Sequence, residues 1–364
     1  MRLERFLERS EHLTGYSPGV TPEELAMDLG VELSEILKLN ANENLFLPVE
    51  FMRSILTEAS RETDPRLYPT VEGQMLEKAI SDYLGISPEQ VVLGAGSDDL
   101  IEMVLYSILR DGDELLAVTP TFSMYERGAR IVGAEFKAID LGNDFSLNVK
   151  SLLSAVTAPT NVIVLCNPNN PTANQFPREE VLRLIEGFDG IVLLDEAYSE
   201  FAGYSLVGET SRLDNLIVLR TFSKAFGLAG IRLGYAVANE VLARTLKEKY
   251  RAPYPLSPVA MRVGVKLLEN REVVEGATEE MKRQRGRLID ELNRIDGVRA
   301  FPSETNFVLF SLNRDQDEVY SRLLGEGIII RRIGYIPGRG GCLRVTVAPR
   351  EVSMRFLKAL REAV

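Results

Sequence analysis

Short apolar runs alternate with amphipathic stretches through the middle of the chain. The runs rich in β-branched and aliphatic residues predict strands, and they are QVVLGAG, ELLAVTP, AEFKAID, NVIVLCNP, GIVLLDEAY, NLIVLRTFS and RLGYAVA. Helical periodicity lies between most of them, for example in DDLIEMVLYSILRDG and REEVLRLIEGF. This alternation is typical of βα units, so we predict an α/β fold with a large domain built on a mostly parallel seven-stranded sheet flanked by helices.

The pattern changes after APYPLSP, near residue 255. A long, highly charged helical stretch is predicted from about 259 to 295, followed by shorter strand-like segments: TNFVLFSL, GIIIRRI and CLRVTVA. We interpret this part as a smaller α+β C-terminal domain. The predicted boundaries are 1–30 for an N-terminal arm, 48–255 for the large domain, and 31–47 with 256–364 for the small domain.

Composition narrows the possible functions. The chain has 364 residues, of which 45% are hydrophobic and 26% charged, so it can bury a large core. A net charge of -11 without a Lys/Arg cluster argues against a nucleic-acid partner. The apolar runs are too short to span a membrane, and the charged N-terminus has no apolar signal region, so we expect a cytoplasmic protein. Cys166 and Cys342 are expected to be reduced, buried thiols, and no metal site is expected.

Polar residues follow several predicted strands, at the edge where open parallel sheets bind ligands. Gly96, Ser97 and Asp98 follow one strand and begin a helix, which is either an anion site or a plain capped turn. Asn170 ends another strand, in what is locally a turn signal. Asp195 leaves a third apolar run, as either a helix cap or a buried functional carboxylate.

Lys224 follows the strand NLIVLRTFS, so its amine should reach the same crevice. Hydroxyls of Thr221 and Ser223 lie beside it, and small residues precede Arg232. An amine among phosphate ligands suits a phosphorylated aldehyde, with which the lysine forms a Schiff base. We therefore expect pyridoxal 5'-phosphate as the cofactor, with Asp195 keeping its pyridine nitrogen protonated.

The motifs of this chain, in their order, resemble those of the fold-type I pyridoxal-phosphate aminotransferases. They are LNANEN, YP, GAGSDDLI, PTFSMY, NPNNPT, DEAY, TFSKAFGLAGIRLGY, APYPLS, SETNF and CLRVTV, and they extend from about residue 13 to the C-terminus. APYPLS, SETNF and GIIIR are most similar to the histidinol-phosphate branch. The resemblance implies a homodimer with shared active sites. It also implies amino transfer between histidinol phosphate and 2-oxoglutarate, with glutamate as the other amino acid.

The resemblance also implies a role for each motif residue. Lys224 is the Schiff-base lysine and proton carrier, and Asp195 is the partner of the pyridine nitrogen. Asn170 and Tyr198 bind the cofactor's phenolic oxygen, and Phe122 stacks on its ring. The implied ligands of the cofactor phosphate are Gly96, Ser97, Asp98, Thr221, Ser223 and Arg232.

The remaining implied residues concern the partner subunit and the substrate. Tyr68 reaches the phosphate of the neighbouring subunit's cofactor, and Arg344 clamps a substrate carboxylate. The other implied substrate residues are Tyr16, Asn42 and Arg331. If the backbone around Arg331 and Arg332 is extended, only one of them can face the crevice, and we expect Arg331 to do so. The only histidine, His12, lies in the N-terminal arm, so no acid–base role is assigned to it.

Two departures from the family pattern stand out. Ala173 replaces a usual glycine after Asn170, and Leu45 replaces a common proline. Several alternative functions remain open from the sequence. One is a lyase resembling threonine-phosphate decarboxylase, others are aromatic or aspartate aminotransferases, and a more distant one is a non-catalytic cofactor-sensing module.

Overall fold

The computed structural model describes residues 3–11, 13, 15 and 19–364. His12 and the predicted substrate residue Tyr16 lie outside the described residues. The helices are α1 Leu3–Glu11, α2 Pro22–Leu29, α3 Val49–Arg61, α4 Glu72–Leu84, α5 Ser97–Ile108, α6 Met124–Val132, α7 Val149–Ser154, α8 Arg178–Glu186, α9 Glu240–Thr245, α10 Pro258–Glu269, α11 Arg271–Leu292, α12 Gln316–Gly325 and α13 Arg350–Ala363. The strands are β1 Leu37–Lys38, β2 Val91–Gly94, β3 Glu114–Thr119, β4 Glu135–Asp140, β5 Thr160–Cys166, β6 Ile191–Asp195, β7 Leu216–Thr221, β8 Gly234–Val237, β9 Val298–Ala300, β10 Phe307–Leu312, β11 Ile328–Ile329, β12 Arg331–Ile336 and β13 Gly340–Thr346.

A seven-stranded sheet forms the centre of the molecule, in the order β2-β8-β7-β6-β5-β3-β4. All seven strands predicted from the apolar runs are in it. The pairs from β7 to β4 are parallel, whereas β8 runs antiparallel to both β7 and β2. The reversal follows from the connection, because a parallel strand needs a crossover, usually a helix, and the β7–β8 segment contains none. The mostly parallel α/β sheet is confirmed.

The sheet brings the candidate residues together at one edge. Strands β2, β5, β6 and β7 are buried along almost their whole length, which explains their continuous apolar runs. Because these four strands point the same way, their carboxyl ends meet at that edge. Gly94, Cys166, Asp195 and Thr221 are the last residues of these strands.

The C-terminal part contains a four-stranded sheet, in the order β12-β13-β10-β9, and a β1-β11 pair. Two predictions for it were wrong in detail. The long helix is divided at Asn270, and GIIIRRI forms two strands that pair with different partners, β1 and β13. Helix α10 packs against α3 and α4 as well as against α11. The division into an arm and two domains stays a prediction.

Both cysteines are buried free thiols, as the sequence predicted. None of the helices in the described part of the chain is both long and apolar enough to cross a lipid bilayer.

Candidate active site

A cavity of about 740 Å³ opens at the carboxyl edge of the large sheet. Its walls come from the ends of β5, β6 and β7, the start of α5, the segment around residues 38–42, and strands β12 and β13. Most of the predicted site residues border it: Asn42, Ser97, Asp98, Phe122, Asn170, Asp195, Tyr198, Thr221, Ser223, Lys224, Arg232, Arg331 and Arg344.

Lys224 presents its amine inside this cavity. Its Nζ donates to the carbonyl oxygen of Ala41 at 3.0 Å and lies 5.9 Å from the centre of the Tyr198 ring. Burial, together with the nearby cation of Arg344, lowers the pKa of Lys224 to about 8. A minor fraction of this amine is therefore neutral at pH 7, and this fraction is nucleophilic and basic.

Asp195 is almost fully buried at the end of β6. Its Oδ2 accepts from the hydroxyl of Tyr125 at 2.7 Å, and its Oδ1 accepts from the backbone N–H of Ala197 at 3.0 Å. Burial raises the pKa of Asp195 to about 6, although both hydrogen bonds act to lower it. No ion pair to Asp195 occurs in the described part of the chain.

Sequence reasoning missed Tyr125, which is fully buried in α6. The available signal was its position three residues after Phe122 on the helix that follows β3. The rings of Phe122 and Tyr125 pack edge to face with their centres 5.7 Å apart, and Phe122 borders the cavity. Tyr125 thus orients Asp195 by a hydrogen bond without bordering the cavity itself, whereas Phe122 borders the cavity.

Two hydrogen-bonded pairs contribute to the cavity wall. Asn42 Nδ2 donates to the hydroxyl oxygen of Tyr198 at 3.0 Å, and Arg344 Nη1 donates to Asn170 Oδ1. Arg344 Nη2 also donates to the carbonyl oxygen of Asn40 at 2.8 Å. Burial raises the pKa of Tyr198 well above its usual range, so this hydroxyl keeps its proton.

Arg232 lies against the start of α5, and these groups together are here called the cradle. Gly96 precedes the helix with φ 91°, and no side chain caps this helix end. A Cβ on Gly96 would lie 2.7 Å from Arg232 Nη2, so a larger residue would displace the guanidinium from its present position. Arg232 Nη2 bonds to Asp98 Oδ2 at 3.2 Å, and both side chains are about half exposed, so a stronger anion can displace this weak pair.

The hydroxyls predicted to help bind phosphate lie beside the cradle. Thr221 and Ser223 are both buried, and the Ser223 N–H donates to Thr221 Oγ1 at 3.1 Å. With the N-terminal amides of α5, they give the cradle neutral donors as well as a cation. Among the predicted phosphate ligands, Gly96 alone does not border the cavity itself and acts through the space it leaves.

Several further basic side chains border the cavity. Arg331 borders it, and so does Arg332, contrary to the expectation that only one of them would face the crevice. Arg331 and Arg332 pair in regular register with Arg344 and Leu343, and the register of β12 shifts only between Arg332 and Gly334. Arg332 is exposed and pairs with Asp317 at 3.1 Å. Lys38 and Arg127, which sequence reasoning did not single out, also border the cavity and pair with Glu43 and Glu102.

Tyr68 lies away from the cavity of its own chain. It is 74% exposed, and its ring stacks on that of Tyr254 at 4.5 Å. This position leaves it available to another molecule.

Comparisons with known proteins identify the family of this chain. The family model for aminotransferase class I and II matches residues 34–360. The chain belongs to the class I and II aminotransferases. A histidinol-phosphate aminotransferase of Caldanaerobacter subterraneus subsp. tengcongensis is 36% identical over 327 residues, covering 89% of this chain and 92% of that protein. That of Methanocaldococcus jannaschii is 34% identical over 360 residues, covering 97% and 95%.

A solved structure agrees with these relatives. The histidinol-phosphate aminotransferase of Sinorhizobium meliloti, in complex with pyridoxal-5'-phosphate, superposes with a TM-score of 0.88 at 26% identity and covers 100% of this chain and 98% of that one. The fold-type I architecture predicted for this aminotransferase is confirmed.

Proposed function

We propose that this aminotransferase binds pyridoxal 5'-phosphate at Lys224 and transfers an amino group between histidinol phosphate and 2-oxoglutarate. One observation carries the proposal. A single cavity combines an amine with a lowered pKa, a buried carboxylate without a cation, and an anion cradle at a helix start. The named relatives support the choice of substrate.

The residues present fit this cofactor. Asp195 is buried and bonded only to neutral donors, so a protonated ring nitrogen supplies the missing charge. The cradle of Arg232, Ser223 and the α5 amides matches a phosphate dianion. Tyr198, whose oxygen accepts from Asn42, keeps its own proton for an acceptor such as the phenolic oxygen.

When bound, pyridoxal 5'-phosphate would supply an electron sink for the electrons left at the substrate's Cα. Lys224 is the proton carrier: its neutral Nζ would take the proton from Cα and deliver it to the cofactor carbon that carried the aldehyde, and not back to Cα. Asp195 holds the proton on the ring nitrogen by its negative charge. In the second half-reaction, Arg344 binds the carboxylate of glutamate or 2-oxoglutarate. Arg331 borders the cavity, and it is our candidate for binding the substrate phosphate.

We also propose that the enzyme is a cytoplasmic homodimer. Its two buried thiols are consistent with a reducing compartment. The exposed pair Tyr68 and Tyr254 supports a contact with a second copy, in which Tyr68 serves the partner's site.

A substrate panel tests the function. Purified enzyme with pyridoxal 5'-phosphate is given 2-oxoglutarate and histidinol phosphate, threonine phosphate or phenylalanine, and glutamate and carbon dioxide are both measured. We expect glutamate formation to be fastest with histidinol phosphate, without release of carbon dioxide. Carbon dioxide from threonine phosphate would indicate the lyase, and a preference for phenylalanine would indicate a general aromatic aminotransferase.

A further inference from the structure

The motif SETNF contains a buried asparagine that has no role in the mechanism above. Asn306 lies just before β10, is 1% exposed, and does not border the cavity. Its Nδ2 donates to the carbonyl oxygen of Asn42 at 2.8 Å. The amide is oriented with its nitrogen toward Asn42, because a carbonyl oxygen can only accept and a buried carbonyl without a donor is unfavourable.

The segment of residues 39–44, here named the strap, crosses the site. Its successive carbonyls at Asn40, Ala41 and Asn42 accept from Arg344 Nη2, Lys224 Nζ and Asn306 Nδ2, respectively. Lys224 must leave its carbonyl when it takes up the cofactor, and Arg344 must turn to a substrate carboxylate. Asn306 has neither task, so its bond can persist through the whole reaction.

Thr346 holds the other side of the same strap residue. The N–H of Asn42 donates to Thr346 Oγ1 at 3.0 Å, and the N–H of Thr346 donates to the carbonyl oxygen of Leu39 at 2.9 Å. Thr346 on β13 pairs with Phe307, the residue next to Asn306. Thr346 and Asn306 therefore bind the N–H and the C=O of Asn42, respectively. The φ of Asn42, 56°, lies in the left-handed region.

A hydrogen bond from the Asn42 side chain connects this arrangement to Tyr198 at the cavity. Asn42 Nδ2 donates to the Tyr198 oxygen at 3.0 Å, so the tyrosine proton is directed elsewhere. Resting on the proposed function, we infer that Asn306 and Thr346 are positioning residues: they fix Asn42 so that Tyr198 donates its proton to the cofactor's phenolic oxygen. Donation to Tyr198 also strengthens the bond that Tyr198 makes, because linked hydrogen bonds polarise one another.

Two substitutions each remove one hydrogen bond to the Asn42 backbone with little change of side-chain shape. Asn306→Leu removes the donor to Asn42, and Thr346→Val removes the acceptor, whereas Thr346→Ser keeps it. Tyr198 stabilises the ionised phenolic oxygen, so losing its donation should raise the pH midpoint of the holoenzyme's visible absorbance change. We expect a rise of about 0.5 pH unit or more and about 5- to 10-fold weaker binding of pyridoxal 5'-phosphate. Thr346→Ser should stay close to wild type in both.

Ser303→Ala is the matched control. Ser303 lies in the same SETNF segment, is buried, and donates to the carbonyl oxygen of Phe307 at 2.6 Å without contacting the strap. It should lower the melting temperature and leave the midpoint and the cofactor affinity unchanged.

The inference is overturned if Asn306→Leu and Thr346→Val behave like Ser303→Ala, losing stability alone. If Asn306→Leu fails to fold, the comparison of Thr346→Val with Thr346→Ser decides, since the two differ in the acceptor. A wild-type protein that shows no chromophore with pyridoxal 5'-phosphate would instead contradict the proposed function, and this inference would fall with it.

Discussion

Asp195 shows how a single residue links stability to function. Its pKa is raised from 3.8 to about 6 by burial, so between these values the folded protein binds more protons than the unfolded chain. Stability without cofactor therefore falls as pH rises through this window, and the full cost applies above about pH 6.

We expect Asp195→Asn to act in opposite directions on stability and activity. Without cofactor, the variant should be more stable than wild type by about 2 kcal/mol at pH 7, because the buried charge is gone. Its kcat should fall at least ~100-fold, because the ring nitrogen loses its counter-charge. Urea unfolding at pH 7 and pH 4 and steady-state kinetics measure both effects. A stability difference that is the same at both pH values would show that the charge is not its cause.

Arg331 is expected to recognise the substrate phosphate. A charge-assisted hydrogen bond contributes about 1.5–3 kcal/mol, so Arg331→Ala should lower kcat/KM for histidinol phosphate by roughly 10- to 150-fold. An unphosphorylated aromatic amino acid should lose far less. Arg332→Ala is the matched comparison, because Arg332 is exposed and paired with Asp317, and its effect should be much smaller. Equal losses for both substrates in Arg331→Ala would assign this side chain a structural role.

At the level of elements, the turn into α5 offers a paired test of the anion cradle. Gly96 and Gly112 both have positive φ values, 91° and 89°, so an alanine is strained at either position. Only at Gly96 would the new Cβ meet Arg232, whereas nothing lies within 4 Å at Gly112.

Gly96→Ala should therefore weaken pyridoxal 5'-phosphate binding by about 10-fold, the equivalent of about 1.4 kcal/mol. Gly112→Ala should lose stability with unchanged cofactor affinity. Equilibrium dialysis and thermal melting separate the two effects. If both variants bind the cofactor like wild type, Arg232 does not form the cradle.

Elements with a strong local signal could be predicted, and those decided by tertiary contacts could not. The seven strands of the large sheet and the groups at their ends followed from apolar runs and the geometry of parallel sheets. The break at Asn270 was missed because amphipathic periodicity continues on both sides of it. Tyr125 and Asn306 were not assigned because their partners, Asp195 and Asn42, are 70 and 264 positions away.

The turn at Ala173 could be predicted only in part from the sequence. The sequence marked it as a departure from a glycine position, and the structure gives it φ 68°, where glycine is favoured. The strained turn was therefore visible in the sequence, but its burial and its contact with the backbone of Glu304 were not.

For the whole molecule, the shared site of the proposed dimer can be tested by complementation. Tyr68→Ala should weaken cofactor binding, and Lys224→Ala should abolish turnover. In mixed dimers, one of the two sites keeps both wild-type groups, so mixing the inactive variants should restore part of the activity, up to about a quarter of the wild-type level with random exchange. Absence of recovery after verified subunit exchange would argue against a shared site, as would a fully active monomer.

The identity of the cofactor lysine tests the proposed chemistry most directly, because Lys38 and Lys224 both border the cavity. The holoenzyme is reduced with borohydride, digested and mapped by mass spectrometry. We expect the reduced cofactor on the peptide that contains Lys224, since its pKa is lowered while Lys38 is paired with Glu43. Label on the peptide containing Lys38, or on any other lysine, would contradict the site as described.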